Sequence, residues 1–335
     1  MTPDAAIDTA PMRAGTETVP SPSQRAVKVL YLLGMGRSGS TLLDAALSNH
    51  PHVLGTGELM KWVRNGIVKN HRCACGAPVP TCEFWAAAFA EWTRRVPFDA
   101  HAFLSRQDYY EDVPPVDYRP RLLHRRVQAR AFHSPEFELY ARETLAAFQA
   151  LREVSGRNVI VDSSKTPERA RALARVPGID LHLVHLVRDV RGVVYSKAKR
   201  VPKDEAQGKF TEEPGLPVWK TCVQWCSINL RSERLRKRLP RHKSMLLRYE
   251  DFVLHPKQSL IAIGQLAGCD LAALGDTFER GDALQVGHTV AGNHLRMSGR
   301  IRLRHDDAWR AHLSPSQLLQ IRLISGWMMR RYAYA

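Results

Sequence analysis

Apolar residues along the chain fall into short continuous runs separated by longer amphipathic stretches. The runs at Val27–Leu33, Val53–Leu54, Asn158–Asp162, Leu181–Arg188 and Ser244–Arg248 predict strands. Between and after them, helical spacing predicts helices over Thr41–Ser48, Glu168–Arg175, Val190–Lys199, Pro256–Leu266 and Pro315–Tyr332. Strands that are apolar on both faces and alternate with helices belong to a parallel sheet covered on each side. The fold class expected is therefore α/β, a three-layer α/β/α arrangement around a central, mostly parallel sheet, which the glycine loop described below makes P-loop-like. In such a sheet, ligands bind outside the carboxyl ends of the strands.

Three stretches stand outside this rhythm. Residues 1–25 are rich in Pro, Thr and Ala with little to bury, and read as a disordered leader before one domain over 26–335. Residues 95–150 carry aromatic and basic side chains and then a helical pattern. Residues 200–217 combine charge, Gly and Pro. Both of these last stretches are assigned to acceptor binding, the first as a helical insertion, with plain surface insertions as the alternative.

Composition narrows the function classes. The 335 residues are 44% hydrophobic, enough for one large buried core. No apolar run reaches the roughly 18 residues of a membrane-spanning helix, and the amino terminus lacks the basic and apolar regions of a secretory signal. A cytoplasmic location is expected. The formal charge is +16, from 49 Lys+Arg against 33 Asp+Glu. Such an excess suits nucleic acid, an acidic membrane surface or a polyanionic small ligand. No nucleic-acid module accompanies it, so no nucleic-acid partner is expected. A multiply charged nucleotide accounts for part of the excess, and peripheral contact with an acidic membrane or acidic acceptor could account for more.

Three of the six cysteines, Cys73, Cys75 and Cys82, cluster beside His71 in HRCACGAPVPTCEFW. These four could ligate zinc, although the C-x-C spacing differs from the usual C-x2-C knuckle. Reduced structural thiols or a redox cluster are the alternatives. Cys222 and Cys226 share a helical face in WKTCVQWCSINL and read as packing residues, and Cys269 stands apart.

The candidate chemistry starts in VKVLYLLGMGRSGSTLLDAALSN, residues 27–49. A strand runs into a Gly/Ser turn and then a helix start, which directs backbone N–H groups and the helix dipole at an anion. Gly34 and Gly39 bracket four residues, as in a P-loop, but Ser40 stands where a nucleotide triphosphatase has Lys, and the cation is Arg37 inside the loop. A second site is drawn by LHLVHLVRDVRGVVYS, where a strand ends at Arg188 and Ser196 sits two turns into the next helix. A plain Arg–Asp helix cap is the bland alternative there.

GMGRSGSTLL resembles the 5′-phosphosulfate loop of sulfotransferases that use 3′-phosphoadenosine 5′-phosphosulfate (PAPS), in the RSG form of the carbohydrate and tyrosylprotein enzymes. The resemblance implies that Arg37, Ser38, Gly39, Ser40 and Thr41 grip the 5′-phosphate and sulfuryl oxygens, and that Arg188 and Ser196 clasp the 3′-phosphate. It makes Glu58, in HPHVLGTGEL, the base that takes the acceptor proton, with His50 and His52 as lesser rivals. It gives Lys165, in VDSSKTPERARAL, the task of neutralising the leaving oxygen. VGHTVAGNHLRMSGRIRLRHDDAWRAHLS is similar to the carboxyl-terminal segment of bacterial members, with His294 in place of a Pro, and implies Arg296 and Arg300 near the nucleotide. CxCG…CxFW segments also occur in bacterial members. LLRYEDF is family-like too, with Glu250 and Asp251 read as structural. Trp219, Trp225 and Trp309 could stack on adenine or serve as core. The activity implied is sulfuryl transfer from PAPS to a hydroxyl of a glycan, peptide tyrosine, lipid or small natural product, with no metal required.

Two other functions fit the residues. A P-loop phosphotransferase would use Asp162, at the end of NVIVDSS, as its Mg²⁺ ligand. A non-catalytic module would hold an anionic nucleotide without needing Glu58 or Lys165.

Overall fold

The computed structural model describes residues 26–111, 131–200, 202, 204, 215–292 and 294–334. The leader over 1–25 and most of the 200–217 loop lie outside the described residues, as does the middle of the 95–150 stretch.

Five parallel strands form the central sheet: β1 (Val27–Gly34), β2 (Val53–Gly55), β3 (Val159–Lys165), β4 (Ile179–Val187) and β5 (Ser244–Arg248), in the order β2-β3-β1-β4-β5. β1 is the middle strand, and its alternate residues feed two cores. Leu30 and Leu32 point toward α1 (Ser40–Ser48), while Val29, Tyr31 and Leu33 point toward an aromatic cluster on the opposite face. That alternation in a strand buried on both sides makes the three layers.

The aromatic face is built by segments the βα rhythm does not contain. A short π-helical turn, Trp62–Val68, leads to α2 (Glu83–Arg95), α3 (Ala100–Tyr110) and α4 (Pro135–Ser155). Trp62 packs against Trp85 and Trp92 with ring centroids 4.9 and 5.0 Å apart, and Phe103 closes the cluster. α4 begins at Ser134, whose hydroxyl accepts from the Phe137 N–H, and ends at Gly156 in the left-handed conformation (φ 64°).

The remaining helices are α5 (Pro167–Leu173), α6 (Val190–Ala198), α7 (Val218–Arg236), α8 (Tyr249–Leu254), α9 (Pro256–Ala267), α10 (Ala272–Glu279), α11 (Trp309–His312) and α12 (Pro315–Arg331). α9 and α10 cover the Leu30 face, and α6, α7 and α12 share a third core around Val193, Trp225 and Met328. A two-strand hairpin, β6 (Leu284–Gln285) with β7 (Arg300–Ile301), lies beyond α10. Its intervening segment returns to the central sheet: the Val290 N–H donates to Thr56 O at 3.2 Å, and the Glu58 N–H donates to Ala291 O at 3.3 Å. No helix among the described residues is long and apolar enough to cross a membrane.

Candidate active site

The carboxyl ends of β1, β3 and β4 converge on the loop between β1 and α1. Gly34 (φ 145°) can carry no side chain there, because a Cβ would lie 2.3 Å from Leu186 O. Gly39 (φ 91°) precedes α1, and a Cβ on it would meet Tyr249 Cδ2 at 2.4 Å. Arg37 itself is left-handed, at φ 74°. A non-glycine residue held in that region costs on the order of 1–3 kcal/mol, a strain that clusters at ligand sites.

Three observations describe what this loop offers a ligand. The first turn of α1 has no side-chain cap and no acidic residue, and the start of a helix carries N–H groups and the positive end of its dipole. Ser38 is 2% exposed, yet its hydroxyl has no hydrogen-bond partner among the described residues; buried polar atoms in that state are rare. Ser40 is buried and Thr41 half-buried at the helix start. The donor set fits a tetrahedral oxyanion.

Arg188, immediately after β4, bridges this loop to the segment around Asp306. Its Nη1 donates to Arg37 O at 3.1 Å, and its Nη2 donates to Asp306 O at 3.1 Å and Asp306 Oδ2 at 2.8 Å. Its guanidinium lies 4.5 Å over the Tyr249 ring, and its own carbonyl accepts from the Trp225 indole at 3.0 Å. The guanidinium therefore sits between the glycine loop and the segment around Asp306. Ser196 lies half-buried on α6, the helix that Arg188 precedes. Burial would raise the Asp306 pKa, but the Arg188 hydrogen bond and charge outweigh it and hold the carboxyl below its ordinary value.

Glu58 and Lys165 meet at the third corner. The Glu58 segment continues β2 alongside β3: the Ser163 N–H donates to Gly57 O at 2.9 Å, and Met60 N–H to Ser164 Oγ at 3.0 Å. Lys165 ends β3 with φ 73°, which turns its Nζ back to Glu58 Oε1 at 2.5 Å and to Ser163 O at 3.1 Å. Lys61 takes the other carboxylate oxygen at 2.6 Å. Burial pushes the Glu58 pKa up, but the charges and hydrogen bonds of the two lysines win and hold it at about 2.

Asp44 escapes sequence reasoning. It lies buried on α1, and its Oδ1 accepts from the Gly57 N–H at 3.3 Å, so it props the turn that presents Glu58. Burial, opposed by that hydrogen bond and reinforced by the charge of Asp162, raises its pKa to about 7. The one signal in the sequence was an acid set among apolar residues in TLLDAALS.

Other expected residues fall differently. Arg296 is 3% exposed and donates to Arg72 O at 2.9 Å and Thr289 O at 3.3 Å, with Glu58 and Cys73 as charge neighbours. Arg300 is exposed on β7 opposite Gln285. His50 and His52 belong to the opposite end of the sheet, where His52 O accepts from the Asn158 and Val159 N–H groups at the start of β3. Trp225 and Trp309 are core, while Trp219 is 53% exposed. Glu250 is structural, accepting from the Asp189 N–H at 3.1 Å and the Tyr334 hydroxyl at 2.7 Å.

Asp162 does not present a metal-binding carboxylate. Its Oδ2 accepts from Arg169 Nε at 2.8 Å, and its Oδ1 accepts from the Ser164 N–H and hydroxyl. Arg169 also pairs with Glu111, which the Tyr140 hydroxyl holds at 2.8 Å. The acid is consumed by a buried network that ties α3 and α4 to β3.

The cysteine cluster needs one correction. The fourth donor brought to Cys73, Cys75 and Cys82 is His288, not His71; all four ligating atoms lie within 4.8 Å of one another.

A family model described as "Sulfotransferase family" matches residues 30–273. No curated protein matches. Among solved structures, the sulfotransferase domain of the Synechococcus PCC 7002 olefin synthase is 17% identical with a TM-score of 0.45, covering 93% of this chain and 96% of that one. The sulfotransferase domain from the curacin biosynthetic pathway is 16% identical with a TM-score of 0.45, covering 89% and 97%. Sulfotransferase STF9 from Mycobacterium avium is 14% identical with a TM-score of 0.46, covering 93% and 77%.

Proposed function

The chain belongs to the sulfotransferase family, and we propose that it moves a sulfuryl group from PAPS to a hydroxyl of its acceptor in the cytoplasm. The observation that carries the choice of donor is the 3.1 Å bond from Arg188 Nη1 to Arg37 O. It couples two anion-binding strand ends, which suits a nucleotide with phosphates at both its 5′ and 3′ positions. Ser38, Ser40, Thr41 and the open N-terminus of α1 would hold the 5′ group. Arg188, with Ser196 beyond it, would hold the 3′ group. When bound, the donor supplies an electrophilic sulfur and a phosphate leaving group.

The protein's own residues then have a defined division of labour. Glu58, ionised at every working pH, accepts a hydrogen bond from the acceptor hydroxyl and takes its proton as the oxygen attacks. A carboxylate held at about 2 is a weak base. A phosphate group near Lys165 offers that ammonium an alternative partner, and Glu58 gains basicity as the contact loosens. Lys165 and Arg37 neutralise charge that develops on the leaving side, where a preorganised donor is worth on the order of a hundredfold in rate. The hydroxyl-bearing acceptor is assigned to the side bounded by α3 and α4. Six cysteines without a disulfide among them suit a reducing compartment. A Mg·ATP phosphotransferase is disfavoured by the engagement of both Asp162 oxygens.

Thermal unfolding with 3′,5′-ADP, ADP and Mg·ATP tests this reading. A ligand at about 100 times its Kd adds roughly 2.7 kcal/mol, a rise of several degrees in Tm for a domain of this size. Selective stabilisation by 3′,5′-ADP, clearly reduced in Arg188→Ala, is expected. Stabilisation by Mg·ATP alone would overturn it.

A further inference from the structure

We propose that Cys73, Cys75, Cys82 and His288 form a structural zinc site that fastens the segment after Glu58 to the segment before β7. The distances carry the assignment. Cys75 Sγ and Cys82 Sγ are 3.7 Å apart, His288 Nδ1 is 3.7 Å from Cys73 Sγ and 3.2 Å from Cys82 Sγ, and all four atoms fit within 4.8 Å. A tetrahedral ion with Zn–S near 2.3 Å and Zn–N near 2.0 Å sets its sulfurs about 3.8 Å apart and sulfur to nitrogen about 3.5 Å. A disulfide needs sulfurs about 2.05 Å apart, and none is present among the six cysteines. Three thiolates with one imidazole select zinc over the hard cations, which prefer oxygen ligands.

The surroundings have the features of a built site. Cys73 opens a tight turn in which the Gly76 N–H donates to Cys73 O at 2.9 Å and the Cys73 N–H to Ala77 O at 2.8 Å. Gly76 takes φ 93°, which brings Cys75 around onto the same side. Cys82 immediately precedes α2, where the helix dipole favours a thiolate. Phe84 stacks on the His288 ring, with centroids 5.4 Å apart and planes at 22°, and fixes its orientation. Three thiolates around Zn²⁺ leave one net negative charge, and the buried Arg296 guanidinium is a charge neighbour of Cys73.

The site has a position that gives it consequence. His288 is 215 residues from Cys73, so the ion closes a very long loop. The segments it would join also share the Ala74 N–H bond to Thr289 O at 3.1 Å and the Arg296 bond to Arg72 O. Just beyond, Val290 and Ala291 hydrogen-bond the backbone of Thr56 and Glu58. Zinc there would lock the backbone that carries Glu58, without touching substrate.

Metal analysis of the full chain, purified reduced and without chelators, tests the proposal. One zinc per chain is expected in the wild type, and a loss of at least tenfold in Cys75→Ser with His288→Ala. Because those substitutions could unfold the protein, the wild type is also stripped by a chelator and reloaded with Co²⁺. Visible d–d bands of a tetrahedral site with thiolate charge transfer, displaced by added ZnCl2, are expected. Folded wild type that carries no zinc, takes up no Co²⁺ and reacts at all three thiols would overturn the proposal. So would a mass lower by two hydrogens that marks a Cys75–Cys82 disulfide.

Discussion

Lys165 Nζ lies 2.5 Å from Glu58 Oε1, joining the end of β3 to the segment that continues β2. With Lys61 on the other oxygen, the carboxylate is clamped between two cations. Glu58→Gln keeps the shape and removes the charge. It is expected to lower kcat by a factor of 10²–10⁴, the usual range for a positioned base, with 3′,5′-ADP binding changed less than threefold. Steady-state kinetics beside a binding titration separates the two, and equal losses in both would make Glu58 a binding residue.

The same clamp sets an acid limb of stability. The native carboxyl titrates at about 2, below the ordinary 4.5, so the folded state binds this proton less readily than the unfolded chain. Its stabilisation is present above about 4.5 and is lost as pH falls toward 2. Glu58→Gln is therefore expected to flatten the fall of Tm over that window. Parallel Tm curves for the two proteins would contradict the clamp.

Arg188 is held by Asp306, whose side chain is 48% exposed. On the proposed reading, an incoming 3′-phosphate would compete with that carboxylate for the same guanidinium. Arg188→Ala should weaken 3′,5′-ADP by roughly 10–100-fold, as expected for losing a charged hydrogen bond. Asp306→Asn should tighten it a fewfold by removing the competitor. Calorimetric titration of both variants decides the matter: weakening in Asp306→Asn would mean that the carboxylate orients Arg188 rather than blocks it.

What the sequence made legible has a physical pattern. The five strands and the glycine loop declared themselves because apolar runs and turn chemistry are local properties, and the first strand and the β5 range lie where the spacing put them. The strand ending at Lys165 runs past Asp162 because Ser163 and Ser164 hydrogen-bond to Gly57 and Met60 across the chain. Arg37, Glu58, Lys165 and Arg188 were put forward by motifs, and the fold places them at the carboxyl ends of β1, β2, β3 and β4. Asp306 and His288 acquire their relations only through pairings 118 and 215 residues apart, and Asp44 acquires its own through the turn at Gly57, which the helical pattern does not reveal. The aromatic helices α2 and α3 were missed as elements because their order rests on Trp62, Trp85 and Trp92 burying one another.

Gly39 makes a sharper test of the loop than any charged residue. A Cβ there would sit 2.4 Å from Tyr249, the ring under Arg188, in a backbone conformation at φ 91°. Gly39→Ala is expected to cost about 1–3 kcal/mol through strain and to abolish 3′,5′-ADP stabilisation while far-UV circular dichroism stays native. Retained ligand stabilisation would show that the loop relaxes without losing its cradle.

Asp44 predicts a second limb of opposite sign. Burial raises its native pKa to about 7 from an ordinary 3.8, so the folded state keeps a proton that the unfolded chain has already released. Its contribution is complete below about 4 and is lost as pH rises through 7. Asp44→Asn supplies a neutral side chain of the same shape whose carbonyl still accepts from the Gly57 N–H. The wild type should therefore lose stability between pH 4 and 7 relative to this variant, with the urea midpoints diverging as pH rises. The divergence has a consequence for turnover, because the turn that Asp44 props is the one that carries Glu58. Above pH 7 an ionised Asp44 sits buried near Asp162 and strains that turn, so the kcat profile of the wild type should bend downward where that of Asp44→Asn stays flat. Midpoints that stay parallel from pH 4 to 8 would show that Asp44 is already ionised in the native protein.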